Sequence, residues 1–425
     1  MRTVTTDQPE DLETPLAGID AAEPVEEAFD DRPPERQSLL PVAWDEVMAV
    51  VGSVKTICDV NVYGNIAILL LGLLEFCRFR LSYWFLLPIA MCALQVGVLV
   101  TYRLTDENVV RVVQFVLMIY FGQYVARAKL FDRVPAYWFA FVLIGILLAL
   151  EVKFVGPQNV REVGFASFLP RYSGPRGDAN FTALACCGLG VLAATRRFWL
   201  TSLAMMVLSM PSMSRGALVG VMAAIGISFV MRIRSGITRW IVVAMLLAPF
   251  AYPVLPWYCD NYLSRSEFDR LNETSSNRLL FQVGYFHMGL ERPIFGHGFF
   301  QSQGDIIENL PYKVEWESEP LEQHSLYLQV WSDFGLVAFG LFAVFFWYLA
   351  TTATRTRPSA VPCLAYIAYS MLFLNGLTDW TVWLLIGESL RGLYDGSHDD
   401  EEKDYYEDEE TLYDEGPQSS SPALE

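Results

Sequence analysis

Leu326-Tyr-Leu-Gln-Val-Trp-Ser-Asp-Phe-Gly-Leu-Val-Ala-Phe-Gly-Leu-Phe-Ala-Val-Phe-Phe-Trp-Tyr-Leu-Ala350 carries one charge, Asp333, in an otherwise apolar run. A helix needs about 20 such residues to cross the hydrocarbon core of a bilayer, and this run exceeds that. Further apolar runs lie at 81–102, 134–150, 216–231 and 237–257. The chain of 425 residues is 53% hydrophobic and only 18% charged, with a mean hydropathy of +0.30. A soluble domain of this size carries more charge. The expected fold class is therefore all-α, a polytopic transmembrane helical bundle.

The net charge of −18 is a property of the ends. Segments 1–36 and 395–425 hold 24 of the 48 acids and four of the 30 bases, leaving 24 acids and 26 bases between them. The domain plan is an acidic tail over 1–38, transmembrane helices over 39–258, a large polar loop over 259–323, further transmembrane helices over 324–393, and a second acidic tail over 394–425. Tails so poor in apolar residues cannot bury a core and are expected to be disordered. The seven cysteines show no zinc-ligand spacing, and Cys186-Cys187 falls within an apolar run, where packing accounts for it. The first 38 residues are acidic rather than basic then apolar, so no signal peptide is expected there and an internal helix would direct insertion.

The expected spans are 60–77, 81–102, 109–126, 134–151, 179–195, 198–211, 215–231, 237–258, 324–350, 360–376 and 379–393, about 11–12 if the amphipathic 44–57 also crosses. Alternate connections carry Arg78 and Arg80; Arg127, Lys129 and Arg133; Arg196 and Arg197; Arg232, Arg234 and Arg239; Arg355 and Arg357. Basic short loops mark the cytoplasmic side. The loops 152–178 and 259–323 and the turn 211–215 then face outward, and the C-terminal tail inward. The N-terminal tail is outside with eleven spans, inside with twelve.

The polar segments concentrate on that outward side. In Arg171-Tyr-Ser-Gly-Pro-Arg176-Gly-Asp178-Ala-Asn180, Asp178 or Asn180 caps the following helix, while Arg176 beside a helix N-terminus suits an anion. Solvated arginines at a capped helix start are the plainer reading. Arg215 opens an apolar helix, where it either snorkels to the interface or faces a phosphate. The large loop is expected to contain short helices. Arg278 begins one, an unfavourable place for a cation unless an anion lies near. Arg265 and Arg270 either supplement it or pair with the nearby Glu267 and Asp269. His287 and His297 read as packing and turn residues, and Asp379 as a helix cap. His324 opens the long apolar run after four acids, Glu315, Glu317, Glu319 and Glu322. On a regular helix it shares a face with Leu328, Trp331 and Gly335. A neutral imidazole at that mouth can orient or deprotonate a hydroxyl.

Four pieces, in order, resemble the O-antigen ligase and polymerase family of C-type membrane glycosyltransferases. They are Arg176-Gly-Asp-Ala-Asn180; Ser214-Arg215-Gly-Ala; Arg278 followed by Glu291-Arg-Pro-Ile-Phe-Gly296-His-Gly298; and His324-Ser-Leu-Tyr-Leu followed by Gly335-Leu. Ser325 replaces the family's usual Asn, Asp333 a frequent Glu, and Glu291 the usual Asp. The resemblance covers roughly 60–393. It implies metal-independent transfer of a glycan from a polyprenyl-pyrophosphate donor to an acceptor hydroxyl, at the outer face of the bacterial cytoplasmic membrane, with no cofactor. In that picture Arg215, Arg278 and Arg176 hold the pyrophosphate, with Arg265 and Arg270 as supplements, and His324 is catalytic. The implied partners are the lipid-linked glycan, the membrane and other polysaccharide-assembly proteins, with no nucleic acid. The alternatives are a transporter or flippase of an anionic lipid-linked substrate and a non-catalytic membrane scaffold.

Overall fold

In a computed structural model, residues 85–102, 106–127, 130–156, 172–212, 214–233, 235–275, 278–299, 306, 310 and 324–392 are described. They all belong to the unit Ala43–Glu425. Both acidic tails, the 44–57 segment and the 60–77 span lie outside the described residues.

Thirteen helices, joined by short 3-10 turns, make up the described architecture, and no strand occurs among these residues. They are α1 (Leu86–Tyr102), α2 (Asp106–Arg127), α3 (Val134–Phe154), α4 (Ala179–Thr195), α5 (Trp199–Ser209), α6 (Arg215–Val230) and α7 (Gly236–Leu247). Then come α8 (Val254–Tyr262), α9 (Arg265–Thr274), α10 (Arg278–Glu291), α11 (Leu326–Thr356), α12 (Val361–Ser370) and α13 (Trp380–Leu390).

The helix α3 shows the design. Tyr137, Ala140, Ile144 and Leu148 are buried on one face, while Trp138, Phe139, Val142, Ile146 and Leu150 are exposed on the other. The same apolar exposure continues over Leu200, Leu203 and Val207 of α5 and over Leu218, Met222, Ile225 and Phe229 of α6. Water-soluble surfaces do not present apolar area on this scale, so the bundle is clad for lipid.

By length and composition, α3 and α11 can each cross a membrane, and a third span results if α7 and α8 count as one. That pair replaces the expected span 237–258. It bends by 51° at a break holding Pro253, with Pro249 in the 3-10 turn just before it; neither has the N–H that a continuous helix requires. The expected spans 198–211, 360–376 and 379–393 also shorten, to helices of 11, 10 and 11 residues. At 1.5 Å per residue each is only about 15–16 Å long, about half a bilayer core. In α13 every residue is buried, and in α12 most are. These are inner helices, apolar because protein surrounds them. The described helices therefore give a bundle with two or three helices long and apolar enough to span a membrane and several shorter apolar helices.

Small residues set the closest contacts. Gly216 and Gly220 of α6 lie against Ser370 and Tyr366 of α12, where an added methyl would meet the Tyr366 carbonyl oxygen at 2.7 Å. Gly122 of α2 meets the Trp383 backbone of α13, and Gly387 returns to Gly122. Such pairs let backbones approach, which is how helices associate where lipid offers no hydrophobic drive.

Candidate functional site

The turn 371–379, between α12 and α13, gathers several of the residues singled out in the sequence. The Leu326 N–H donates to the carbonyls of Met371 (3.0 Å) and Leu374 (3.1 Å), so α11 starts on this turn and half-buried His324 lies two residues before it. Gly216 packs on Phe373 and Leu374, which brings Arg215 to the same turn. Arg215 is exposed at the first position of α6, and Ser214 caps that helix by accepting from the Ala217 N–H. Leu326 and Gly216, which touch this turn, thus place His324 and Arg215 near one piece of backbone although they are 109 residues apart in sequence.

Arg278 arrives by a second route. Leu328 of α11 packs with Phe281 and Tyr285 of α10, and further along Trp331 Nε1 donates to the Phe286 carbonyl at 3.1 Å. Gly289 lies against the same indole. Residue numbers rise together on both helices, so they run side by side in one direction. Arg278 and His324 occupy matching ends. Arg278 is half-buried and acts electrostatically on the Tyr252 hydroxyl beside Gln282. The helix start is already partly satisfied: Leu279 N–H donates to Ser275 Oγ and Leu280 N–H to Asn272 Oδ1. An anion arriving here would be drawn by the guanidinium more than by the helix end.

The start of α11 departs from the regular helix expected. Residues Val330–Phe334 form a π-turn, and Gly335 follows with φ +73°. The extra residue shifts the helix phase, so Gly335 no longer shares the His324 face. It meets the turn after α10 instead. Carbonyls released at the break accept from that turn: His297 N–H donates to Ser332 (3.0 Å) and Gly298 N–H to Asp333 (2.8 Å). Leu336 N–H donates in return to Pro293 (2.7 Å), and buried Gln95 of α1 donates to the carbonyls of Phe295 and Phe334. Gly296 and Gly335, both with φ near +70°, sit back to back at this crossing, and a methyl on either would run into the backbone of the other segment. The Gly-His-Gly motif is thus the clasp that fixes α10 on α11. His297 belongs to the clasp, buried with Nε2 2.9 Å from the Met288 carbonyl. His287 is 2.9 Å from Asp260.

Arg176 is held by an ion pair. Its guanidinium pairs with Asp379, whose other oxygen caps α13 by accepting from the Thr381 N–H at 2.7 Å. The cap reading of Asp379 holds, and the ion pair is an addition that a separation of 203 residues hides. Asp178 caps α4 by accepting from the Asn180 N–H, as expected. The Tyr172 N–H donates to the Pro211 carbonyl (3.1 Å), and Glu151 accepts from the Ser173 and Gly174 N–H groups. The Arg176 turn is therefore tied to the segment leading into Arg215. Arg265 and Arg270 are exposed on α9; Arg265 lies 3.9 Å from Asp269. Glu267 forms a capping box with Ser264, and the Ser264 hydroxyl and N–H hold its carboxyl below the usual range. Among the described residues, no three His, Cys, Asp or Glu side chains cluster as metal ligands do.

A second charged cluster lies at the opposite end of α4, about 25 Å away along a 17-residue helix. Arg196 pairs with Asp132 and Glu388, Arg357 with Glu388 at 2.8 Å, and Arg391 with Asp132. Burial raises the Asp132 carboxyl, but the Arg391 hydrogen bond and the charges of Arg196, Arg391 and Arg357 outweigh it and hold it below the usual range. Three of the basic connections expected on one side thus meet at one end of the bundle, away from Arg215 and His324.

Residues 198–343 match the model of a protein family described as O-Antigen ligase. Arg215, Arg278 and His324 fall within that segment, while Arg176 and Asp379 fall outside it. No curated protein matches the chain.

Proposed function

We propose that this chain, whose residues 198–343 match the O-Antigen ligase family model, transfers a glycan from a polyprenyl-pyrophosphate donor to an acceptor sugar hydroxyl. The observation that supports this most is that Leu326 and Gly216, beside His324 and Arg215, both touch the turn 371–379, with Arg278 at the matching end of the adjoining helix. Two guanidiniums offer forked donors to phosphate oxygens. As the bond between the anomeric carbon and the pyrophosphate oxygen breaks, negative charge grows on that oxygen, and fixed cations there lower the barrier. The acceptor oxygen forms the new bond to the anomeric carbon. Its proton passes to the His324 imidazole and from there to water or the departing pyrophosphate. On this reading the arginines supply the charge stabilisation without a metal ion.

Arg265 and Arg270, exposed on α9, are assigned to ion pairing at the rim. The basic connections gathered at the Arg196 cluster support a cytoplasmic location for that end. The glycan-transfer end then faces outward across the bacterial inner membrane. Polysaccharide polymerases and ligases share this chemistry and differ in the acceptor. The bent α7–α8 pair and the broken α11 are features that transporters also use, which keeps a transporter or flippase as the second reading. The deciding experiment is turnover of a lipid-linked glycan by purified protein in detergent, where no gradient exists. Product that disappears in His324→Ala and Arg278→Ala supports transfer. Absence of product, with vectorial movement of the lipid in liposomes, supports transport.

A further inference from the structure

A cleft of about 160 Å³ opens beside α4 and α13, lined by Gln114, Arg176, Phe181, Thr378, Asp379 and Trp380. We propose that it is a subsite for one neutral sugar ring of the glycan; this rests on the glycan-transfer reading above.

Three independent observations carry the assignment. The first is charge. Arg176 and Asp379 pair across the cleft wall, with side chains 9% and 1% exposed, so their charges cancel. A pyrophosphate entering here would meet the Asp379 carboxylate. A sugar hydroxyl, at once donor and acceptor, fits beside a paired carboxylate and guanidinium. This moves Arg176 from the pyrophosphate to the glycan.

The second is an orphan donor. Trp380 is 3% exposed, and its indole Nε1 has no hydrogen-bond partner among the described residues. Two other buried or half-buried indoles are satisfied: Trp383 donates to the Leu377 carbonyl at 2.8 Å and Trp331 to that of Phe286. A buried N–H without a partner is costly and demands an explanation. A ligand hydroxyl in the cleft supplies one. Gln114 and Thr378 add amide and hydroxyl groups, and half-buried Phe181 adds aromatic surface for the apolar side of a sugar ring.

The third is position. Thr378 and Asp379 end the same turn whose earlier residues contact Gly216 and Leu326. A glycan whose pyrophosphate or acceptor hydroxyl lies at Arg215 and His324 has the length of that turn to reach the cleft.

The test uses purified full-length protein and two variants, Trp380→Phe, which keeps the ring but removes the N–H, and Gln114→Leu. Binding is measured for polyprenyl pyrophosphate without sugar, and for the lipid-linked glycan extracted from producing cells; KM is measured for the acceptor oligosaccharide. Each variant is expected to bind the bare lipid as the native protein does. Each should weaken one glycan ligand by about three- to tenfold, the worth of one hydrogen bond. Weakened lipid-linked glycan assigns the ring to the donor, and a raised acceptor KM assigns it to the acceptor. Equal weakening of the bare lipid would overturn the proposal, because the cleft would then serve phosphate or the fold. Native values for both glycan ligands would overturn it as well. If the native protein binds neither lipid, the glycan-transfer reading fails, and this assignment with it.

Discussion

Gly335→Ala tests the clasp between α10 and α11. Gly335 has φ +73° and ψ −177°, a region closed to residues with a Cβ and costing about 1–3 kcal/mol when forced. The new methyl would also lie 2.5 Å from the Gly296 nitrogen and 2.6 Å from the Ile294 carbonyl carbon. Both neighbours are backbone, so neither can swing aside, and overpacking of this kind costs about another 1–3 kcal/mol. Opening the crossing to relieve it would strain the His297–Ser332, Gly298–Asp333 and Leu336–Pro293 hydrogen bonds, each worth about 1 kcal/mol net. A total of about 2–6 kcal/mol follows, which at roughly 2–4 °C per kcal/mol is a fall on the order of 10 °C in melting midpoint in detergent. Gly340→Ala is the control, since a methyl there meets nothing within 4 Å; it should melt within a few degrees of the native protein. If Gly335→Ala melts with the control, the break in α11 does not depend on glycine geometry, and the clasp is not what holds the two helices.

Further predictions concern charge. Glu388→Gln removes the carboxylate shared by Arg196, Arg357 and Arg391; breaking a buried ionic cluster from one side costs about 3–5 kcal/mol, to be read as a lower detergent melting point. Asp132 is held below the ordinary aspartate value of about 3.9. Its contribution to stability is therefore complete above that value and lost as pH falls through its lower folded value. Asp132→Asn should lower stability at neutral pH and flatten the acid side of a melting-point profile below about pH 4; an unchanged acid limb would contradict the pairing. Arg278→Lys keeps the charge but loses the fork, so turnover of lipid-linked glycan should fall about tenfold or more, with melting unchanged.

The lipid-facing design was legible because the apolar residues of helices such as α3 outnumber what one buried face needs. Their count was less so. Hydropathy cannot distinguish residues apolar toward lipid from residues apolar toward protein, so the burial of α12 and α13 inside the bundle was not legible in it. The break in α11 has a sequence signal, Ser332-Asp-Phe-Gly335 inside an apolar run, yet its consequence depends on Gly296, 39 residues earlier. Arg215, Arg278 and His324 stood out because each is a polar residue where an apolar helix begins. Asp379 showed only its cap role, since nothing local in Asn375-Gly-Leu-Thr-Asp-Trp points to Arg176. Trp380 gave no signal at all: an indole matters here through a missing partner, and partners are a property of the fold.

Arg215, Arg278 and His324 are proposed to form one transfer site at the turn 371–379. The most direct test is single-turnover transfer from lipid-linked glycan by the purified native protein and the three alanine variants. Released polyprenyl pyrophosphate and extended glycan are expected from the native protein. Donor binding should weaken in Arg215→Ala and Arg278→Ala, and stay near native without transfer in His324→Ala. Native transfer rates in all three stably folded variants would contradict a shared site.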